Sequence, residues 1–119
     1  GTVGWTDWNI LLDHTGGPNH VQNFCFAPIH GDTRTGELIY TPTYYYIGHF
    51  SKFVRPNAQR VSTSSSRSFL LATSFVNENG EMATIVMNHT DAAISYNFFV
   101  GKAQSKLTIP ARAIQTVVY

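Results

Sequence analysis

Pro56 separates two textures that no single regular architecture accommodates. On its C-terminal side apolar residues recur with a period of two. Phe69, Leu71, Thr73 and Phe75 alternate with Leu70, Ala72, Ser74 and Val76, the spacing at which side chains leave one face of a β-strand. Asn79-Gly80 is a tight-turn signal of the kind that favours positive φ at both central positions. Met82–Asn88, Ile94–Val100, Lys106–Ile109 and Ala113–Tyr119 complete a set of short, closely spaced strands, which is the pattern of an antiparallel β-sandwich. Ser62 to Ser68 reads as a strand end and turn, because Arg60-Val61 before it and Phe69-Leu70 after it both read as strand. A whole sandwich takes about 100 residues, more than lie between 57 and 119. The sandwich is therefore expected to be short of strands, with an edge that must pair with something, a second copy of the chain included.

The N-terminal side holds both tryptophans, four of the five histidines and most of the glycine and proline. Thr2 to Leu12 carries Val3, Trp5, Trp8, Ile10, Leu11 and Leu12 with few charges, and runs into the turn formers Asp13-His14-Thr15-Gly16-Gly17-Pro18-Asn19. This predicts a buried strand followed by a long loop. Apolar residues on both faces of a strand belong to a parallel sheet covered on both sides, so the strand is an orphan of a sheet that this chain does not supply. Residues 20 to 40 read as irregular, with a small hairpin turning at Thr35-Gly36. Thr41-Pro42 predicts a helix start, with the hydroxyl as N-cap and proline at the first helical position. Tyr46, Ile47, Phe50, Phe53 and Val54 form one apolar helical stripe, which Arg55-Pro56 ends. The fold class is thus mainly β: a C-terminal antiparallel sandwich over residues 57–119, preceded over residues 1–56 by one strand, a loop and a helix.

Function classes narrow next. A net charge of +1 is too balanced for a nucleic-acid or anionic-membrane footprint, so no nucleic-acid partner is expected. Charged residues make up 13% of the chain, about half the usual share of roughly 25%, which fits a surface partly covered by other protein. Cys25 is the one cysteine, so an intrachain disulfide is excluded; within Phe24-Cys25-Phe26-Ala27 it reads as a buried, inert thiol. No apolar run approaches the ~20 residues of a membrane span, and no signal peptide is visible. His14, His20, His30, His49 and His89 show no metal-ligand spacing. Neither a GxSxG elbow nor a GxxxxGK[ST] phosphate loop occurs. No metal or cofactor is implied. Asn88-His89-Thr90 matches the N-glycosylation pattern.

The sharpest local feature is Gly4-Trp5-Thr6-Asp7-Trp8-Asn9. Two indoles around a carboxylate and an amide suit a sugar, whose apolar C–H face stacks on an indole while Asp or Asn bonds the hydroxyls. The same residues could equally fill a core and hold a loop. Glycoside hydrolysis needs two carboxyl groups across the scissile bond, ~5–5.5 Å apart for retention. Asp13, Asp32 and Glu37 sit in turn-like sequence, Glu78 and Glu81 flank a hairpin, and Asp91 remains; none pairs convincingly with Asp7. The chain shows no complete catalytic dyad. A rival reading is a non-catalytic carbohydrate-binding module, with Trp5, Trp8 and Tyr44-Tyr45-Tyr46 as a stacking platform. Another is an interaction domain whose open sheet edge recruits a partner strand.

Gly4-Trp5-Thr6-Asp7-Trp8-Asn9, Gly16-Gly17-Pro18-Asn19, Asn23-Phe24 and Tyr46-Ile47-Gly48-His49-Phe50-Ser51-Lys52-Phe53, in this order and spacing, closely resemble glycoside hydrolase family thirty. That family includes the glucosylceramidases and endo-β-1,6-glucanases. The resemblance implies a (β/α)8 barrel fused to a β-sandwich, with residues 2–12 as the eighth barrel strand, 42–54 as the helix after it and 57–119 as the C-terminal part of the sandwich. It implies a retaining β-glycosidase with two catalytic glutamates at the ends of the fourth and seventh barrel strands. Both would precede Gly1, leaving no catalytic residue in this chain and predicting that it is inactive alone. It further implies that Trp8 and Asn23 contact the glycone, with Trp5 and Asp7 beside them. The substrate would be a β-glucoside, glucosylceramide or β-glucan, the partner the rest of the barrel, and the setting secreted, periplasmic or lysosomal. Phe26 departs from the glucosylceramidases, which commonly carry Asp shortly after the Asn-Phe pair, so the aglycone does not carry over.

Overall fold

A computed structural model describes residues 2–119. It contains nine strands and one helix among the described residues, grouped in two compact units that divide within the helix, between Ile47 and Gly48.

The first unit is built on a three-stranded sheet: β1 (Leu11–Asp13), β2 (Ile29–Gly31) and β3 (Leu38–Tyr40), with β1 parallel and β3 antiparallel to the central β2. The expected buried strand over Thr2–Leu12 is corrected here. Only its last two residues enter β1, and residues 2 to 11 are exposed, while Leu12 is buried. The register gives the reason. Leu11 pairs with Ile29, so the next partner along the parallel ladder is Pro28, which has no N–H to donate. The amide of Ala27 is spent on the His30 ring. Ile10 O still accepts Ile29 N–H at 3.0 Å, but beyond it no further amide is offered and the upstream segment stays out of the sheet. The expected hairpin does form between β2 and β3: Asp32 N–H donates to Glu37 O (2.8 Å), and Gly36 turns the chain at φ 77°. Helix α1 covers Pro42–Phe53 as expected, but Thr41 starts it differently. Its hydroxyl donates to the carbonyls of Ala27 and Pro28 instead of accepting from the first turn.

The second unit is a β-sandwich. One layer is a four-stranded antiparallel sheet in the order β4 (Gln59–Val61), β5 (Leu70–Val76), β6 (Met82–Asn88) and β9 (Ile114–Val118); the other is the hairpin of β7 (Ile94–Val100) and β8 (Ala103–Ile109). The core between them joins Leu70, Val86 and Ile109, with Phe69, Ala72, Ile94, Tyr96 and Ala113 packed around. β6 is central and covered on both faces, so it reads as a nearly continuous buried run. On one of its faces Ser74 and Thr84 are buried and hydrogen-bonded across the β5–β6 pair at 2.7 Å, and the Tyr119 hydroxyl extends the chain. On the other, the C-terminal half of α1 packs: Phe50 meets Phe75 edge-on and His49 Nδ1 lies 2.8 Å from the Thr116 hydroxyl. The layers stay apart at one end. A cleft of about 730 Å³ opens there, lined by the 62–67 loop, β5, β6, β7 and Tyr119, and the buried Tyr96 hydroxyl finds no partner among the described residues.

Two sequence expectations about the second unit change. The Asn79-Gly80 turn is a three-residue loop, closed by Asn77 N–H to Glu81 O and Gly80 N–H to Asn77 O, with Gly80 alone at positive φ (86°). That is a type I turn followed by a left-handed glycine. Asn88 of the glycosylation pattern is 1% exposed and fully bonded: its amide donates to Ala92 O and Pro110 O and its carbonyl accepts from Thr90 N–H and hydroxyl. Its side chain belongs to the core.

Candidate functional site

The residues singled out for sugar binding all lie in the first unit, on the N-terminal segment and on the loop between β1 and β2. Trp5 is 78% exposed and Trp8 69%, and Asp7 and Asn23 are exposed as well. Neither indole is packed into a core formed by this chain. Asp7 caps its own neighbour, accepting Trp8 N–H at 2.9 Å. Beyond that bond, no side-chain hydrogen bond among the described residues joins Trp5, Asp7, Trp8 and Asn23 to one another, so the structure presents them as open groups and not as an assembled pocket.

The loop is held more firmly than the segment. Asp13 closes its base: the carboxylate accepts from Thr15 hydroxyl (2.6 Å), Thr15 N–H and Gly17 N–H, and the main chain exchanges Asp13 N–H to Gly17 O and Gly16 N–H to Asp13 O. These bonds, the Thr15 hydroxyl foremost, hold the Asp13 pKa down at about 2. Gly16 sits at φ 88° and a Cβ on it would collide with the Cys25 carbonyl oxygen, so only glycine serves at this crossing. Cys25 N–H returns to Gly16 O. The loop contains a cis Gly17–Pro18 bond, and Gln22, just before Asn23, is left-handed at φ 61°. Cys25 itself is half-buried, its thiol directed to Asn23 O, and Phe24 and Phe26 on either side are exposed, which corrects the expectation of a buried thiol.

The sequence missed His30. It lies on β2 beneath the loop: Nε2 accepts Ala27 N–H at 3.1 Å, Nδ1 meets Asp13 O at 2.8 Å, and Phe26 packs against the ring at 5.1 Å. Histidine between an isoleucine and a glycine carries no motif, so only the fold could reveal it.

Asp32, Asp91 and Glu78 are taken up in structural bonds. Asp32 is buried and its guanidinium partner Arg34 holds its pKa well below the usual range. Arg112 clamps Asp91 through two bonds and lowers it likewise, and Glu78 accepts from Asn57. A glycosidase acid needs its pKa raised, and the Asp13, Asp32 and Asp91 shifts all run the other way. No group of three or more His, Cys, Asp or Glu side chains could hold a metal among the described residues. The tyrosine platform is not flat: Tyr44 meets Tyr40 and Tyr45 edge-on, at interplanar angles of 65° and 87°, whereas a sugar ring needs an open aromatic face.

Comparison with known proteins matches this geometry to one family. Residues 1–54 match the family model of the glycosyl hydrolase family 30 TIM-barrel domain, and residues 57–117 that of the family 30 β-sandwich domain. Putative glucosylceramidase 3 of Caenorhabditis elegans is 35% identical over 120 residues, 98% of this chain and 23% of that protein. Lysosomal acid glucosylceramidase of Mus musculus is 40% identical over 89 residues, 74% of this chain and 17% of that protein. Among solved structures, SrfJ from Salmonella typhimurium superposes with a TM-score of 0.90 at 36% identity, over 95% of this chain and 25% of that one. The endo-β1,6-glucanase BT3312 shares the fold at a TM-score of 0.83 and 23% identity, over 92% of this chain and 25% of that one. The chain thus spans about a quarter or less of the length of these relatives. With both of its parts matched in order, the chain belongs to glycosyl hydrolase family 30.

Proposed function

We propose that this chain is the C-terminal portion of a retaining β-glycosidase of the glucosylceramidase or β-1,6-glucanase type. On this reading residues 1–56 are the last piece of the catalytic barrel and 57–119 the C-terminal sandwich. The parent enzyme hydrolyses a β-glucosidic bond through a covalent glucosyl-enzyme intermediate, with both glutamates on barrel strands upstream of Gly1. This portion supplies pocket lining: Trp8 and Asn23 hold the glycone, Trp8 by its indole face and Asn23 by its amide, with Trp5 and Asp7 adjoining. Barrel strands to the N-terminal side cover the apolar residues of segment 2–11.

The observation that carries the reading is the exposure of Val3, Trp5, Trp8, Ile10 and Leu11 in one short segment. Consecutive large apolar side chains in water mark a surface that other protein or ligand covers, and the barrel-domain match over the same residues supports a barrel as that cover. The edge-on tyrosines count against a self-contained binding module. The interaction-domain reading rests on an open sheet edge, which the four-stranded layer has at β4 and β9, and predicts concentration-dependent self-association.

The isolated chain is expected to show no turnover of an aryl β-glucoside and no saturable change in tryptophan emission on titration with glucan. The same chain continued upstream through two strand-end glutamates is expected to hydrolyse the glucoside. In it, Asn23→Ala should lower kcat/KM by about 10- to 100-fold, a lost bond to a polar substrate group of about 1.5–3 kcal/mol. Turnover by the isolated chain overturns the proposal, and tight glucan binding by it favours the module instead.

A further inference from the structure

We propose that His30 is a positioning residue for the Asn23 loop, a latch that ties the two ends of the loop together through its Nδ1–H tautomer. Its bonds dictate the tautomer. A backbone N–H can only donate, so Nε2, 3.1 Å from Ala27 N, must be the bare acceptor. A backbone carbonyl can only accept, so Nδ1, 2.8 Å from Asp13 O, must carry the hydrogen. The ring thereby ties the far end of the loop, at Ala27, to its near end, at Asp13. Asn23 lies between, in the stretch that Cys25 N–H also fastens to Gly16 O.

Removing the Nε2 acceptor strands the Ala27 N–H that donates to it. Ala27 is wholly buried, so its amide has no water to turn to, and an unsatisfied buried donor is costly enough to open the loop locally. The ionisable groups on the elements around the ring are Asp13 and His14 at the end of β1, Cys25 on the loop, Asp32 just beyond β2 and Tyr40 on β3. The Asp13 carboxylate is taken up by Thr15 and Gly17, Asp32 by Arg34 with His14 3.9 Å away, and the Cys25 thiol by Asn23 O. None of their side chains bonds the imidazole to hold a charge on it. Phe26 packs against the ring at 5.1 Å, tilted by 54°.

The value of the latch to a sugar site rests on the reading of Asn23 given above; the latch itself does not. NMR on the ¹⁵N-labelled chain separates the two, since it needs no substrate. At about pH 8 the His30 ring should show a protonated Nδ1 and a bare Nε2. In His30→Phe, which has no ring acceptor, the protection of the Ala27 amide, referred to its intrinsic exchange rate, should fall about tenfold or more. The Asn23–Phe26 cross-peaks should move in the same variant. His30→Gln, which offers one acceptor and one donor, should keep Ala27 protected. A ring protonated on Nε2 at pH 8, or Ala27 protection and Asn23 signals that His30→Phe leaves unchanged, overturns the latch. Failure of the glycosidase reading would leave these spectra unchanged.

Discussion

Asn88 shows how one side chain can outweigh a motif that contains it. Three-residue glycosylation patterns are read from surface loops, yet this amide is buried with two donors and two acceptor bonds used, joining the end of β6 to Ala92 and Pro110. A glycan on that nitrogen would replace a donor and require the core to open. Expression through a eukaryotic secretory route should yield an unmodified Asn88 by mass spectrometry. Asn88→Ala should lower stability by about 2–4 kcal/mol, because it strands several buried partners at once, measurable as a fall in the urea midpoint. The same scale explains why the candidate site was only partly legible. Trp5, Asp7, Trp8 and Asn23 announce themselves by type and motif, whereas His30 acts only through two backbone groups, Ala27 N–H and Asp13 O, that lie beside it in space.

Among the elements, those with strong periodicity were readable and those needing a partner were not. The strands from β5 to β9 follow the period-two pattern because each finds a neighbour within the chain. The segment 2–10 has a strand's composition but faces Pro28 in register, so composition and outcome part there. Helix α1 was readable from its stripe, but the group that ends it was not. Asn77, 4% exposed and distant in sequence, donates to Phe53 O and accepts from Arg55 N–H, satisfying a terminal carbonyl that the helix itself leaves open. Asn77→Ala should cost about 1–3 kcal/mol, and it should speed amide exchange at Arg55 without altering the β7–β8 hairpin. The turn after Asn77 teaches a similar lesson: Asn-Gly signals a reversal, but loop length decides which residue takes positive φ, and here Gly80 alone does.

At the scale of the molecule, pH acts through groups spread over both units. Burial lowers the His49 pKa below its ordinary 6.5, so the unfolded chain binds protons more readily than the folded one below that point. The stability this contributes is complete above pH 6.5 and is lost as the pH falls toward the depressed folded value. Asp13 adds a lower window. Its bonds hold it at about 2 against 3.8, so its contribution is present above 3.8 and disappears as the pH falls to about 2, with Asp32 and Asp91 acting in the same sense. Calorimetry from pH 8 downward should show Tm declining first in the histidine range and again below pH 4; a flat profile between pH 7 and 5 would contradict the first step.

The exposed indoles decide which instruments can see this protein unfold. Both tryptophans stand in water on segment 2–9, and none lies in the sandwich. Their emission should be red-shifted and open to collisional quenchers in the native chain, and it should scarcely change on melting. A fluorescence trace without a transition would therefore mark the location of the dye, not the absence of a fold, and circular dichroism in the β region is the signal that follows the sandwich.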